Sequence, residues 1–309
     1  EVSSIYGGSA AKENAGEMKN RGWELTINYK LNSGDFHHNF NFNISDSKNK
    51  VTDFGGKERI DQNDQLYKLI REGEPLGSYF GYKTDGLFQS YDEIANSALP
   101  VGASVQPGDV KYVDQNNDGV IDEKDRVILG NAFPRYTFGF TYNMTWKGFD
   151  LNVMLQGVGK RSMYLRGELI EPFHSNYSYC IYQHQLDFWT PTNPDAQWPR
   201  LVAPGSSSST NNWGMAGSDI YLLNAAYLRV KNIQIGYTLP KALTQKFGVQ
   251  KLRVSVNTEN PLTFTKNSFI DPESSEFGSD MGGIGGIGAN SGRNYPTLTY
   301  YGFGLDIEF

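Results

Sequence analysis

The sequence predicts an all-β protein: about seven antiparallel strands forming the C-terminal portion of a transmembrane β-barrel with long extracellular loops. Three observations predict it. They are an amphipathic closing strand, a composition rich in strand and turn formers, and connections that alternate between short and long. The chain closes on Tyr301-Gly-Phe-Gly-Leu-Asp-Ile-Glu-Phe309. Side chains alternate across a strand, so Tyr301, Phe303, Leu305, Ile307 and Phe309 share one face, and Gly302, Gly304, Asp306 and Glu308 share the other. One wholly apolar face running to a C-terminal Phe suits a barrel whose lipid-facing and lumen-facing residues alternate. The last strand of a soluble sandwich would look the same, because its inner face is also apolar.

Composition narrows the class. With 34 Gly, 19 Tyr and 18 Phe in 309 residues, strands and turns are favoured over helices. A net charge of −6 argues against a general nucleic-acid-binding role. Cys180 is the only cysteine, so no disulfide forms within the chain and no zinc site can be built on thiols. No apolar run approaches the ~18 residues of a membrane helix, which leaves a barrel open because barrels carry apolar residues at every second position. The opening Glu1-Val-Ser-Ser4 has no initiator Met and no signal peptide, as expected of a mature or internal segment.

Residues 1–21 are polar and Gly/Ala-rich and read as loop. Trp23, Leu25, Ile27, Tyr29 and Leu31 then alternate with polar residues, and Asn32-Ser-Gly-Asp35 has hairpin-turn composition. The return strand sets Phe36, His38, Phe40, Phe42 and Ile44 against a face that is nearly all Asn. Across 46–134 the pattern lapses, with short helices expected at Gln65–Arg71 and Tyr91–Ala98. Strands resume from Tyr136 to Trp146 and, after Lys147-Gly148, from Phe149 to Gln156. A second excursion, 159–224, leads to a strand over 227–239. There Leu228 and Val230 are out of phase with Ile233, Ile235 and Tyr237, which predicts a bulge or a protein-covered segment. Pro240–Gly248 connects to a strand through Leu252, Val254 and Val256, and a third loop, 265–294, precedes the closing strand.

Short connections at 32–35, 147–148 and 240–248 therefore alternate with long ones at 46–134, 159–224 and 265–294. Transmembrane barrels have this rhythm, with short periplasmic turns and long extracellular loops. It places the C-terminus on the periplasmic side. Seven strands do not close a barrel, and bare sheet edges in lipid leave backbone groups unsatisfied at several kcal/mol each. Both edges must therefore pair with further polypeptide.

Four stretches resemble one family. They are Gly77-Ser-Tyr-Phe-Gly-Tyr-Lys-Thr-Asp-Gly-Leu-Phe-Gln89; Pro107-Gly-Asp-Val-Lys-Tyr112 running on to Leu129-Gly-Asn131; Trp189-Thr-Pro-Thr-Asn-Pro194 with Trp198-Pro-Arg200; and Tyr227-Leu-Arg-Val-Lys-Asn-Ile-Gln-Ile-Gly-Tyr237. In this order they resemble the C-terminal third of SusC/RagA-type TonB-dependent outer-membrane transporters, over essentially all of 20–309. The resemblance implies a 22-stranded barrel of which residues 1–309 supply the last seven strands as one domain. It also implies an N-terminal plug and TonB box outside this chain, a SusD-like lipoprotein lid, and TonB-driven import of oligosaccharides or peptides across the cell outer membrane.

The sharpest site motif is Asp114-Gln-Asn-Asn-Asp-Gly-Val-Ile-Asp-Glu-Lys-Asp125. Asp114, Asn116, Asp118, Val120 (carbonyl), Asp122 and Asp125 occupy the ligand positions of an EF-hand-type calcium loop, with Gly119 at its turn. Asp125 stands where a sensor loop has Glu, so the expectation is a weak, structural Ca2+ that orders the 46–134 loop. An Asx-turn without metal uses the same residues. Gly278–Gly288 lacks the Gly-Lys-Ser/Thr ending of a phosphate loop and reads as a flexible extracellular loop. His37, His38, His174 and His184 show no metal spacing, with His38 expected at the membrane interface. Cys180 reads as a buried or unpaired thiol. Spacing gives the pairs Glu168/Glu171 and Asp187/Asp195 no catalytic weight. Tyr177, Tyr179, Tyr182, Phe188, Trp189, Trp198 and Trp213 fit loop packing better than sugar stacking. No catalysis is expected. The alternatives are a soluble carbohydrate-binding β-sandwich and, after it, a glycoside hydrolase.

Overall fold

The fold is described from a computed structural model, over residues 16–63, 66–174, 179–214, 217–274, 289–290, 292 and 294–309. Seven long strands form one sheet: β1 Glu17–Ser33, β2 Phe36–Asp53, β3 Arg135–Trp146, β4 Phe149–Lys160, β5 Tyr227–Thr238, β6 Lys251–Thr265 and β7 Tyr300–Glu308. Each pairs antiparallel with its neighbour in sequence, in the order β1-β2-β3-β4-β5-β6-β7. The sheet is open. Among the described residues β1 and β7 each have a wall strand on one side only.

Register makes each face continuous across the sheet. One row runs Leu31, His38, Met144, Leu151, Ile235, Val256, Phe303, and the next runs Lys30, Asn39, Asn143, Asn152, Gln234, Asn257, Gly302. The first is apolar but for His38, and the second is polar except at its terminal glycine. A polar ladder crosses strands behind an oily wall: Asn41 donates to Asn28, and Asn152 Nδ2 donates to Asn143 Oδ1 at 2.6 Å. The apolar face is uncovered among the described residues, with Tyr301 81% and Phe303 74% exposed. Leaving the five apolar residues of β7 alone in water would cost on the order of 10 kcal/mol. A sandwich would lay a second sheet on this face, and among the described residues none lies there.

The predicted bulge falls at Lys231. β5 shifts register against β4 and against β6 there, so Leu228 pairs with Gly157 and Phe264 while Ile233 pairs with Val153 and Thr258. One extra residue flips the phase, and both halves of β5 keep their apolar residues on the same side. Asn260, opposite on β6, takes φ +52°.

Three sequence expectations need correction. Residues 16–21 are not all loop, because β1 begins at Glu17 and its polar start pairs with Lys48–Asp53. Alternation of apolar side chains stops there, but backbone pairing does not depend on it. At 17 and 18 residues β1 and β2 exceed the ~9–11 that cross a bilayer. The helix expected at Gln65–Arg71 is a strand, Leu66–Arg71, paired with Glu58–Asn63 and with Ser78–Tyr82; Gln65 lies outside the described residues. Tertiary pairing there overrides local propensity. Lastly, the 46–134 stretch, read as a connection without comparable strands, begins inside β2, which runs to Asp53, and holds a four-stranded sheet of short strands. The second helix is present, Tyr91–Ala95, capped by Ser90 Oγ accepting from the Glu93 N–H.

Candidate functional site

The three long connections fold together at one end of the wall into a loop body with two cores. One gathers Tyr79, Tyr164, Ile170, Trp198, Trp213 and Tyr221; the other gathers Tyr82, Leu87, Val110, Tyr112, Ile121 and Trp189. Ile220 packs against both. Burial of Trp189, Trp198 and Trp213 assigns these rings to packing. Tyr179 is exposed, and Tyr177 lies outside the described residues.

A buried carboxylate joins the first two long connections. Asp109 is fully buried. Its Oδ1 accepts from Arg200 Nε (2.8 Å) and Asn212 Nδ2 (3.0 Å), and its Oδ2 from Ser208 Oγ (2.6 Å) and the Gln106 N–H (2.9 Å). Arg200 Nη2 also donates to Ser208 Oγ at 2.6 Å. Asn212 Oδ1 accepts the Val110 N–H, and Asn211 Nδ2 donates to the Val110 carbonyl. Gly108, at φ +90°, lies so close under the Trp189 ring that no Cβ fits. Trp189 Nε1 reaches Gln89 Oε1 at 3.0 Å. Thus Gly77–Gln89, Pro107–Tyr112 and Trp189–Arg200 meet at one point, and their shared work is to lock the loop body. The sequence carried no spacing signal for Asn211, Asn212 and Ser208.

A second anchor ties the third connection to the wall. Arg229, almost wholly buried on β5, donates to Asp271 Oδ1 (2.7 Å) and to Glu273, and its Nε donates to Thr263 Oγ1 (2.8 Å). Tyr227 Oη donates to Glu273 Oε1 at 2.6 Å, Lys231 Nζ to Glu273 Oε2 at 2.9 Å, and Arg161 Nη1 to the Pro272 carbonyl at 2.8 Å. Burial pushes the Asp271 carboxyl up, but donation from Thr297, the Glu273 N–H and Arg229 outweighs it and holds the group at about 2. His184 stacks on Phe269 at 4.2 Å and binds the Leu169 carbonyl through Nε2 at 2.9 Å, so burial pushes its pKa down.

The predicted calcium loop is a tight turn closed by its own hydrogen bonds. Asp114 accepts the Asn117 and Gly119 N–H groups at 2.6 and 2.8 Å, and the latter holds its carboxyl below the ordinary range. Asp118 Oδ1 accepts the Val120 N–H, and Asn116 Oδ1 accepts the Asp118 N–H. Asp125 is fully buried, with its oxygens on the N–H groups of Gln115 (2.8 Å) and Asp122 (2.7 Å). Lys124 stands 3.8 Å from Asp118 and 3.6 Å from Asp122. Among the described residues no group of three or more His, Cys, Asp or Glu side chains converges as a metal set. The Gly278–Gly288 stretch lies outside the described residues.

On the wall's polar face near the short turns, Arg253 reaches across β5 to Asp150 on β4, at 2.9 and 2.7 Å, and also to Asp306 on β7 at 3.0 Å. Gly236 lies beneath this span, and a Cβ there would come within 2.5 Å of both Arg253 and Asp150. On the apolar face near the same turns, aromatic rings line up: Phe36 on Trp146 at 5.0 Å, Trp146 beside Phe149 at 6.0 Å, Phe149 on Tyr237 at 4.4 Å. His38 sits among Phe36, Phe40 and Tyr142, bound to the Tyr142 hydroxyl at 2.8 Å. Such a row is the girdle that barrels place at a membrane–water boundary.

An amphipathic seven-stranded wall with a packed loop body at one end defines part of a large transmembrane barrel. No protein-family model matches the chain. It is 31% identical, over 96% of its length and 30% of the relative's, to TonB-dependent receptor P26 of Formosa agariphila. It is 26% identical, over 96% of its length and 27% of the relative's, to TonB-dependent receptor SusC of Bacteroides thetaiotaomicron. A solved structure of the RagAB peptide transporter superimposes with a TM-score of 0.72 at 20% identity, covering 100% of this chain and 31% of that one. The chain belongs to the SusC/RagA-type TonB-dependent receptors. It spans about 30% of the length of the curated relatives it matches.

Proposed function

We propose that the chain supplies wall and extracellular loops to an outer-membrane importer that takes up oligosaccharides or peptides with TonB and a SusD-like surface lipoprotein. The observation that carries this reading is the sheet itself: an uncovered apolar face, a polar ladder behind it, and all long connections at one end. In this reading the apolar face meets lipid, the polar face lines the lumen, the C-terminus is periplasmic, and the edges of β1 and β7 pair with further strands of a 22-stranded barrel. The loop body meets the lid and cargo, while a plug outside this chain couples to TonB. The RagAB likeness, named for peptide transport, favours peptides. Uptake of labelled peptides and oligosaccharides by cells with and without the whole receptor gene tests it. TonB-dependent uptake that vanishes with the gene supports the reading, and unchanged uptake of both classes overturns it.

We also propose that the Asp114–Asp125 loop takes up calcium. Donor spacing supports it, and Asp125 would have to release its two N–H partners. Calorimetry at millimolar calcium showing no heat would remove it, since extracellular calcium modules bind at about 0.1–1 mM.

A further inference from the structure

The turn between β5 and β6 builds an apolar groove at the foot of the wall. Lys241–Thr244 forms one helical turn, Gln245–Phe247 continues as a 3-10 turn, and Gly248 at φ +73° reverses the chain into β6. A connection in water would show polar residues here. Instead Leu243 and Phe247, four residues apart, are 50% and 82% exposed. With Leu239, Thr244, Val249 and Leu252 they line a groove of about 140 Å³. That is the size of cavity that takes a benzene-sized apolar group. Leu239 and Leu252 are bridged by a backbone hydrogen bond of 2.9 Å. They continue the stripe of Ile235 and Tyr237 on one side and Val254 and Val256 on the other, so the groove opens onto the apolar face. Lys241 and Lys246 are exposed on the same turn, and among the described residues neither is in an ion pair.

We propose that this groove seats an anionic phospholipid of the adjacent leaflet, with an acyl chain against Leu239, Leu243, Phe247 and Leu252 and the phosphate-bearing headgroup at Lys241 and Lys246. The inference rests on the outer-membrane reading above. A short apolar face flanked by cations is the pattern of segments that lie in a membrane interface. Cations beside lipid favour anionic headgroups over neutral ones. Continuity with the lipid-facing stripe selects a lipid over a protein occupant.

Native mass spectrometry of the whole receptor, delipidated in detergent and titrated with phosphatidylglycerol or phosphatidylcholine, tests it. Lys241→Glu with Lys246→Glu lowers phosphatidylglycerol affinity about tenfold and leaves phosphatidylcholine unchanged. Leu243→Ser with Phe247→Ser weakens both. All four positions are exposed, and heat-modifiable migration on gels verifies the fold of each variant. Variants that bind both lipids as the parent does overturn the proposal, as does a concentration-dependent dimer that Leu243→Ser with Phe247→Ser abolishes. A receptor missing from the membrane fraction would instead sink the outer-membrane reading, so the two failures are distinct.

Discussion

Asp109 is one carboxylate serving four donors from two separate connections, and the loop body depends on it. Removing one partner of a buried pair leaves the other charge stranded at about 3–5 kcal/mol. Asp109→Ala therefore opens the loop body, read as faster proteolysis around 98–134 in a receptor whose wall still migrates as folded. Gly236→Val puts atoms where Arg253 and Asp150 meet and costs about 1–3 kcal/mol by overpacking, read as a lower temperature for loss of heat-modifiable migration. Asp271 gives a pH signature. Its carboxyl lies at about 2 folded against ~3.9 unfolded. A depressed carboxylate contributes stability above its unfolded value and loses it as pH falls through the folded one. Protection of the amides in residues 265–274, the exchange rate taken relative to the intrinsic rate at each pH, is accordingly constant above about pH 5 and falls toward pH 2. Asp271→Asn exchanges faster at pH 7 and loses the dependence.

At the scale of elements, the strands were legible because alternation is a strong signal wherever one face is apolar. The closing strand, the hairpin at Asn32–Asp35 and the phase break in β5 could all be read from side chains alone. The polar ribbon of Glu17–Gly22 with Ser47–Asp53 could not, because its pairing is carried by backbone and leaves no period in the side chains. Leu66–Arg71 was misread because Leu66, Leu69 and Ile70 stand at i, i+3 and i+4, a helical spacing, in a stretch too short for periodicity to separate helix from strand. Of the candidate site, the three docking motifs were visible as motifs. Their meeting on Asp109 was not, since the partners lie about a hundred residues apart. The bulge yields a sharp prediction. Deleting Lys231 removes the extra residue and leaves Leu228, Val230 and Ile233 in one plain two-residue period on the apolar face, so the receptor still reaches the outer membrane, and failure to do so would contradict this reading of the bulge. Lys231→Ala, which keeps the residue count and loses one ion pair to Glu273, still assembles.

For the whole molecule, an uncovered apolar face, an open sheet and a one-sided loop body are explained together by a barrel wall in lipid, continued by strands beyond this chain. The loops pack against one another through buried Trp and Tyr. Site-directed fluorescence in the whole receptor, with Cys180→Ser as background, tests this most directly. Ile27→Cys and Val256→Cys label the apolar face, and Asn41→Cys and Asn257→Cys the polar one. In reconstituted bilayers the first two are quenched by brominated lipid, and the second two only by a water-soluble quencher. Equal response of both faces to either quencher would contradict the account.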